Sequence, residues 1–165
     1  MGAFFLCVRE RERESADVLG RGLASLRAQG FAQPTRITTT GFDIVAFPKY
    51  RGGSVQLAKR DDDNFALLTG TSIFEHGVGE QAAKHFLEDF QFEAPAWDEI
   101  HGHYCAIVCR RGRLRLFVDR LGTYKVYADR ARSVVSSSFL AVCDAIGRLE
   151  IDSQAVYEYA FLGGT

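Results

Sequence analysis

The chain reads as an antiparallel α+β protein. Short apolar or alternating runs outnumber helical ones, the turns joining several of them are short hairpins, and no series of strand–helix–strand crossovers is present. With 165 residues, 47% hydrophobic and 25% charged, the chain is long enough for a substantial core and is read as one domain over residues 1–165. It contains no internal repeat and no low-complexity linker.

Taken in order, Ala3–Val8 is a continuous apolar run, the mark of a strand covered on both faces. The alternating charges of Arg9–Glu14 read as a solvated strand end or loop. Ser15 or Asp17 caps a helix running to about Gln29, with Val18, Leu19, Leu23 and Leu26 on one side and Gly30 as its stop. Strands follow near 35–39, 43–47 and 54–58, and the turn Arg60–Asn64 leads into another at Phe65–Gly70. A second helix fits Gly79–Phe90, placing Ala82, Ala83, Phe86, Leu87 and Phe90 together. The runs 103–109, 113–119 and 124–129 read as a three-strand meander, and 133–139 as a short strand entering a helix at Phe139–Ile146. Asp152 caps the last helix, before Gly163-Gly164-Thr165.

Charge and composition narrow the function. A net charge of −1 gives no electrostatic case for a nucleic-acid partner. No apolar stretch approaches the roughly 20 residues a membrane-spanning helix needs, and Ala3–Val8 is too short for a signal sequence, so a cytoplasmic location is expected. The four cysteines, Cys7, Cys105, Cys109 and Cys143, lie in apolar runs and read as reduced core residues. Cys105 and Cys109 would sit about 13 Å apart in one strand, at roughly 3.3 Å per residue, too far to bridge.

No metal site is expected. His101, His103 and Cys105 share one strand face, but three side chains in line about 7 Å apart cannot surround one ion. Asp61–Asp63 lack the spacing of a calcium loop, and Gly52-Gly53 lack the Lys-Ser/Thr of a phosphate loop. His76 and His85 have no evident partner and read as surface or packing residues.

The segment Leu116–Val142, LFVDRLGTYKVYADRARSVVSSSFLAV, carries more information. It resembles the "RDRLGxKPLYY … ASExKAL" segment of the amino-terminal domain of asparagine synthetases, matching at Asp119, Arg120, Leu121, Gly122, Thr123 and Tyr127. Upstream, WDEIHGHYCAIVC is similar to that family's "LxGxFAFAL" strand, with Gly102 at the glycine. Downstream, LEIDSQAVYEYAFLGG is similar to its "LDPEALAEYLxFG" helix. The resemblance implies an Ntn-hydrolase-like αββα sandwich, two antiparallel sheets flanked by helices, in which Asp119, Arg120 and Gly122 form a structural turn.

In that family an amino-terminal cysteine hydrolyses glutamine with the aid of its own α-amine, and an Asn-Gly pair forms the oxyanion hole. The position after Met1 is Gly2 here, which has no nucleophile. Thr69 stands at the oxyanion Asn, with Gly70 retained, and the substrate Arg falls near Lys49 or Arg51. The family's "SDTE" has no counterpart near Glu75–Gln81. The resemblance therefore implies a vestigial pocket of Gly2, Lys49, Arg51, Thr69 and Gly70, with no catalytic residue, as in the degenerate amino-terminal domains of β-lactam synthetases and lasso-peptide cyclases. It implies a partner as well, a carboxy-terminal ATP-dependent synthetase domain or an equivalent separate subunit. ATP and Mg belong to that part, whose "SGGxDS" loop this chain lacks, and this domain needs no cofactor. Two alternatives stay open: a free-standing module binding a small molecule or peptide, and an active glutaminase.

Overall fold

The computed structural model describes residues 2–9, 12–50, 52–93, 96–147, 149 and 152–162. Its elements are β1 (Ala3–Val8), α1 (Glu12–Ala28), β2 (Thr35–Thr38), β3 (Phe42–Phe47), β4 (Gln56–Asp61), β5 (Asn64–Phe74), β6 (Gly77–Val78), α2 (Glu80–Glu88), a 3₁₀ turn (Trp97–Glu99), β7 (Ile100–Arg110), β8 (Arg113–Val118), β9 (Tyr127–Ala128), β10 (Val134–Ser136), α3 (Phe139–Ile146) and α4 (Ser153–Leu162). They form an α+β protein with two antiparallel sheets. One is ordered β2-β3-β1-β10-β9. The other is ordered β4-β5-β7-β8, with β6 added against the end of β5.

Side-chain alternation explains why the strands are so apolar. Ala3, Phe5 and Cys7 of β1 join Val45 and Phe47 of β3 in a core under α1 and α3. The intervening Phe4 and Leu6 face the other way, against Phe65, Leu67, Cys105 and Ile107 of the second sheet. That sheet's far face carries Leu68, Phe74, Tyr104 and Val108, covered by Ala82, Ala83, Phe86 and Leu87 of α2. Both sheets are thus covered on two faces, which favours continuous apolar runs over alternating ones. The layering is compatible with a sandwich.

Helix packing depends on local fit. Gly22 lets α1 settle onto β1, since a Cβ there would overlap the Phe5 ring. Arg21 of α1 reaches across to the end of α3, where Nε and Nη2 donate to the Ala145 carbonyl at 3.0 and 2.7 Å. Arg110, closing β7, does the same for α2, donating to the carbonyls of Phe90 and Phe86 at 2.7 and 2.8 Å. Each guanidinium satisfies carbonyls that a helix end leaves without partners and offsets the negative end of its dipole.

Three sequence expectations need correction. Residues 124–129 do not extend a meander with β7 and β8: Ala128 and Tyr127 pair with Val135 and Ser136, in the other sheet. The turn after β8 carries the chain across, and alternation within so short a run contains no sign of which sheet receives it. The first helix starts at Glu12, so the charged run Arg9–Glu14 is not all strand end or loop. Ser15 lies inside that helix, its Oγ donating to the Val8 carbonyl at 3.3 Å. The second helix ends at Glu88, two residues early. At the chain's last helix, Asp152 Oδ1 accepts from Gln154 N at 3.0 Å, the capping bond expected. No helix among the described residues is long and apolar enough to cross a membrane.

Candidate functional site

β1 brings Gly2 into the buried region between two cavities. On one side is a cleft of about 220 Å³, whose wall includes Gln29, His103, Tyr124, Lys125 and Ser138. On the other, Gly2, Lys49, Gln56, Thr69 and Gly70 meet around a space of about 10 Å³, about what one water needs. The structure therefore gathers Gly2, Lys49, Thr69 and Gly70 around one point, while Arg51 lies outside the described residues.

Each member of that group is held in place. The Gly2 carbonyl accepts from the Tyr124 hydroxyl at 3.1 Å. A Cβ at Gly2 would stand 2.9 Å from the Phe47 carbonyl oxygen. Lys49 Nζ donates to Thr71 Oγ1 at 2.8 Å in an exposed contact, and Gln56 Nε2 donates to the Gly70 carbonyl at 3.0 Å. Thr69 Oγ1 and Gln56 Oε1 are buried here with no hydrogen-bond partner among the described residues, two polar atoms left unsatisfied beside this cavity.

Gly70 has a structural reason to be glycine. It sits in mid-strand at φ +93°, paired with Tyr104, and a Cβ there would overlap the His103 carbonyl oxygen and come within 3.1 Å of the Tyr124 ring. Only glycine accepts both the left-handed backbone and that approach.

The turn after β8 builds this arrangement. Asp119 is 5% exposed. Its Oδ1 accepts from Thr123 N and Thr123 Oγ1 at 3.0 and 2.9 Å, and its Oδ2 from Tyr124 N at 2.8 Å. Gly122, at φ +62°, closes the turn by donating to the Asp119 carbonyl at 2.8 Å. Burial on its own would raise the Asp119 carboxyl, but the Thr123 and Tyr124 amides outweigh it and hold the group below the usual range. Arg120 makes an exposed ion pair with Asp98 at 2.8 Å, a contact of small energetic weight. Burial pushes the Tyr124 phenol up, although the neighbouring Thr69 and Ser137 hydroxyls pull the other way. Thr69 is near enough to act on that phenol without reaching hydrogen-bond geometry.

No cysteine borders either cavity. Cys7 faces the α1 side, with Sγ near the Val8 and Ser15 carbonyls, while Cys105 and Cys109 lie between the sheets. Burial pushes all three thiols up, the opposite of what a nucleophile needs. Cys143 is half-buried on α3. The serine run after β10 is also occupied: Ser136 Oγ donates to the Phe4 carbonyl at 2.7 Å, Ser137 Oγ accepts from Phe4 N at 3.0 Å, and Ser138 caps α3. His103 tilts against the Tyr124 ring at 5.1 Å, and no hydrogen bond links it to a serine among the described residues. His101, His103 and Cys105 do not converge, since Cys105 is sealed between the sheets.

Sequence reasoning missed Tyr124 and Gln56. Tyr124 meets Gly2 across 122 positions of chain, and no local spacing signals that contact. It also missed the partners of His85, Asp89 and Glu75. The first was within reach, because residues four apart on a helix are neighbours. No protein-family model matches the chain, and no curated protein matches it. The fold and site define an α+β protein of two antiparallel sheets whose first strand is buried.

Proposed function

We propose that the chain is a pseudo-glutaminase, an Ntn-hydrolase-like domain of the asparagine-synthase type that keeps the sandwich and has lost hydrolysis. The observation that carries this reading is the surroundings of Gly2: no thiol borders the cavities beside it, and the Phe47 carbonyl stands 2.9 Å from where a Cβ would be. The roughly 10 Å³ beside Thr69 and Gly70, against the several hundred Å³ of an ordinary ligand pocket, supports the same conclusion. The domain's work is then to pack against, or shape access to, an ATP-dependent amide-forming domain in the same chain or a separate subunit. ATP and Mg act there, and none of the residues described above is assigned to them. The exposed Val156, Tyr157 and Phe161 of α4 support a partner, since an exposed apolar helix face favours burial.

A second reading, a module binding a small molecule or peptide, is favoured by the roughly 220 Å³ cleft beside Tyr124 and His103. An active glutaminase has no comparable support. The test is glutamate release from L-glutamine by the full chain, together with mass spectrometry after exposure to an electrophilic glutamine analogue. No release and no adduct are expected. Release that follows protein concentration would overturn the proposal, and release surviving replacement of all four cysteines would exclude a cysteine mechanism too.

A further inference from the structure

At the edge of the second sheet, β5 turns through Glu75 and His76 into β6 and then α2. The imidazole of His85, on the last turn of α2, lies between two carboxylates from different elements. Its Nδ1 is 3.0 Å from Asp89 Oδ2 and 3.2 Å from Glu75 Oε2. One ligand atom from each of the three residues lies within 4.8 Å of the others. The ring is positioned by its packing: it tilts on Phe74 at 5.7 Å, and Gly77 leaves room for its Cδ2 edge, which a Cβ would approach to 3.1 Å.

Proton counting makes this more than a surface ion pair. Nδ1 carries at most one proton, so it can serve only one of the two carboxylates fully. The other acidic groups of this helix have cations of their own: Glu80 pairs with Lys84, and Glu88 with Arg60. Among the described residues, no Lys or Arg forms a salt bridge with Glu75 or Asp89, and the Arg110 guanidinium is engaged with the Phe86 and Phe90 carbonyls. Arg110 acts on Asp89 only from beyond salt-bridge distance, so two anionic groups this close, with one imidazole between them, repel unless a cation joins them.

We propose that Glu75, His85 and Asp89 form a site for a divalent first-row transition ion, with Zn²⁺ the ion whose chemistry matches this nitrogen and two-oxygen set. Zinc bound tetrahedrally at about 2.0–2.1 Å sets its ligand atoms roughly 3.3 Å apart, close to the 3.0 and 3.2 Å found around Nδ1. A water completes the fourth position. The ion clips the β5–β6 turn to α2, and its binding depends on no assumption about glutamine hydrolysis.

The test is titration of the EDTA-dialysed full chain with Zn²⁺ by calorimetry, and with Co²⁺ followed by visible absorption. The expected result is one ion per chain and a cobalt spectrum without thiolate charge transfer. His85→Ala abolishes binding, while the near-isosteric Glu75→Gln and Asp89→Asn each weaken it about tenfold or more, at least the loss caused by removing an outer-shell partner. His76→Ala and His101→Ala leave it unchanged. Zn²⁺ also raises the unfolding midpoint of the wild type and not that of His85→Ala. Absence of binding by the wild type, or undiminished binding by a folded His85→Ala variant, would overturn the site.

Discussion

Asp119 shows how one side chain extends its influence through the next. Its three accepted hydrogen bonds fix Tyr124, and Tyr124 fixes the carbonyl of Gly2. Asp119→Asn turns an amide donor toward an N–H it should accept from, and is expected to cost about 2–3 kcal/mol in urea denaturation. The pH dependence has a definite sign. Because the folded-state pKa is depressed, the carboxylate's contribution is complete above about pH 4, the unfolded value, and is lost as pH falls through the lower folded value. Asp43 acts in the same direction: burial opposes its ionised form, but Thr38 and Arg36 overcome burial and lower its pKa. Urea midpoints measured from neutral pH down through that window should fall steeply for the wild type and less steeply for Asp119→Asn. At the site itself, Gly2→Cys should yield no glutamate release and a lower unfolding midpoint, because its Cβ meets the Phe47 carbonyl and Thr69 offers no amide. Turnover from that single change would relocate the whole pocket.

Among the elements, helix ends are where distant residues act. Arg110 lies in β7 but terminates α2, and Arg21 lies in α1 but terminates α3. Arg110→Ala should destabilise by about 1.5–3 kcal/mol, the range for hydrogen bonds to a charged group. Arg110→Lys should recover only part of that, since a single ammonium cannot copy a fork spanning two carbonyls. Thermal melts of the two variants check both statements. Such contacts also mark the limit of what the sequence reveals. The apolar spacing of Leu19, Leu23 and Leu26 identifies α1, and the unbroken run at Ala3–Val8 identifies a strand covered on both faces. Tyr127–Ala128 reads as strand too, but its pairing with β10 is decided by the course of the turn, not by its own alternation. The pocket divides in the same way. Gly2, Thr69 and Gly70 are suggested by resemblance along the chain, whereas Tyr124, which joins Gly2 in space, has no nearby residue to announce it.

For the whole molecule, the decisive feature is that each sheet separates two apolar layers, so no layer can be lost without exposing the face of a sheet. The chain contains one tryptophan, Trp97, which packs edge-on against Phe90 and Phe117 at 6.2 and 6.1 Å in the layer under α2. Its fluorescence reports that outer layer. Far-UV circular dichroism reports α1 and α3, on the opposite side of the molecule, as well. Phe4 and Leu6 link the two halves through the layer between the sheets, so the halves should unfold together and the two signals should have coincident midpoints in urea, as a two-state transition requires. Phe86 is fully buried among Phe74, Phe90, Tyr104 and Phe117. Phe86→Ala should cost about 3–5 kcal/mol and lower both midpoints equally, although α1 and α3 pack in a separate outer core. A fluorescence transition that moves alone would mean that the α2 layer melts independently, and that the central layer does not bind the two halves into one cooperative unit.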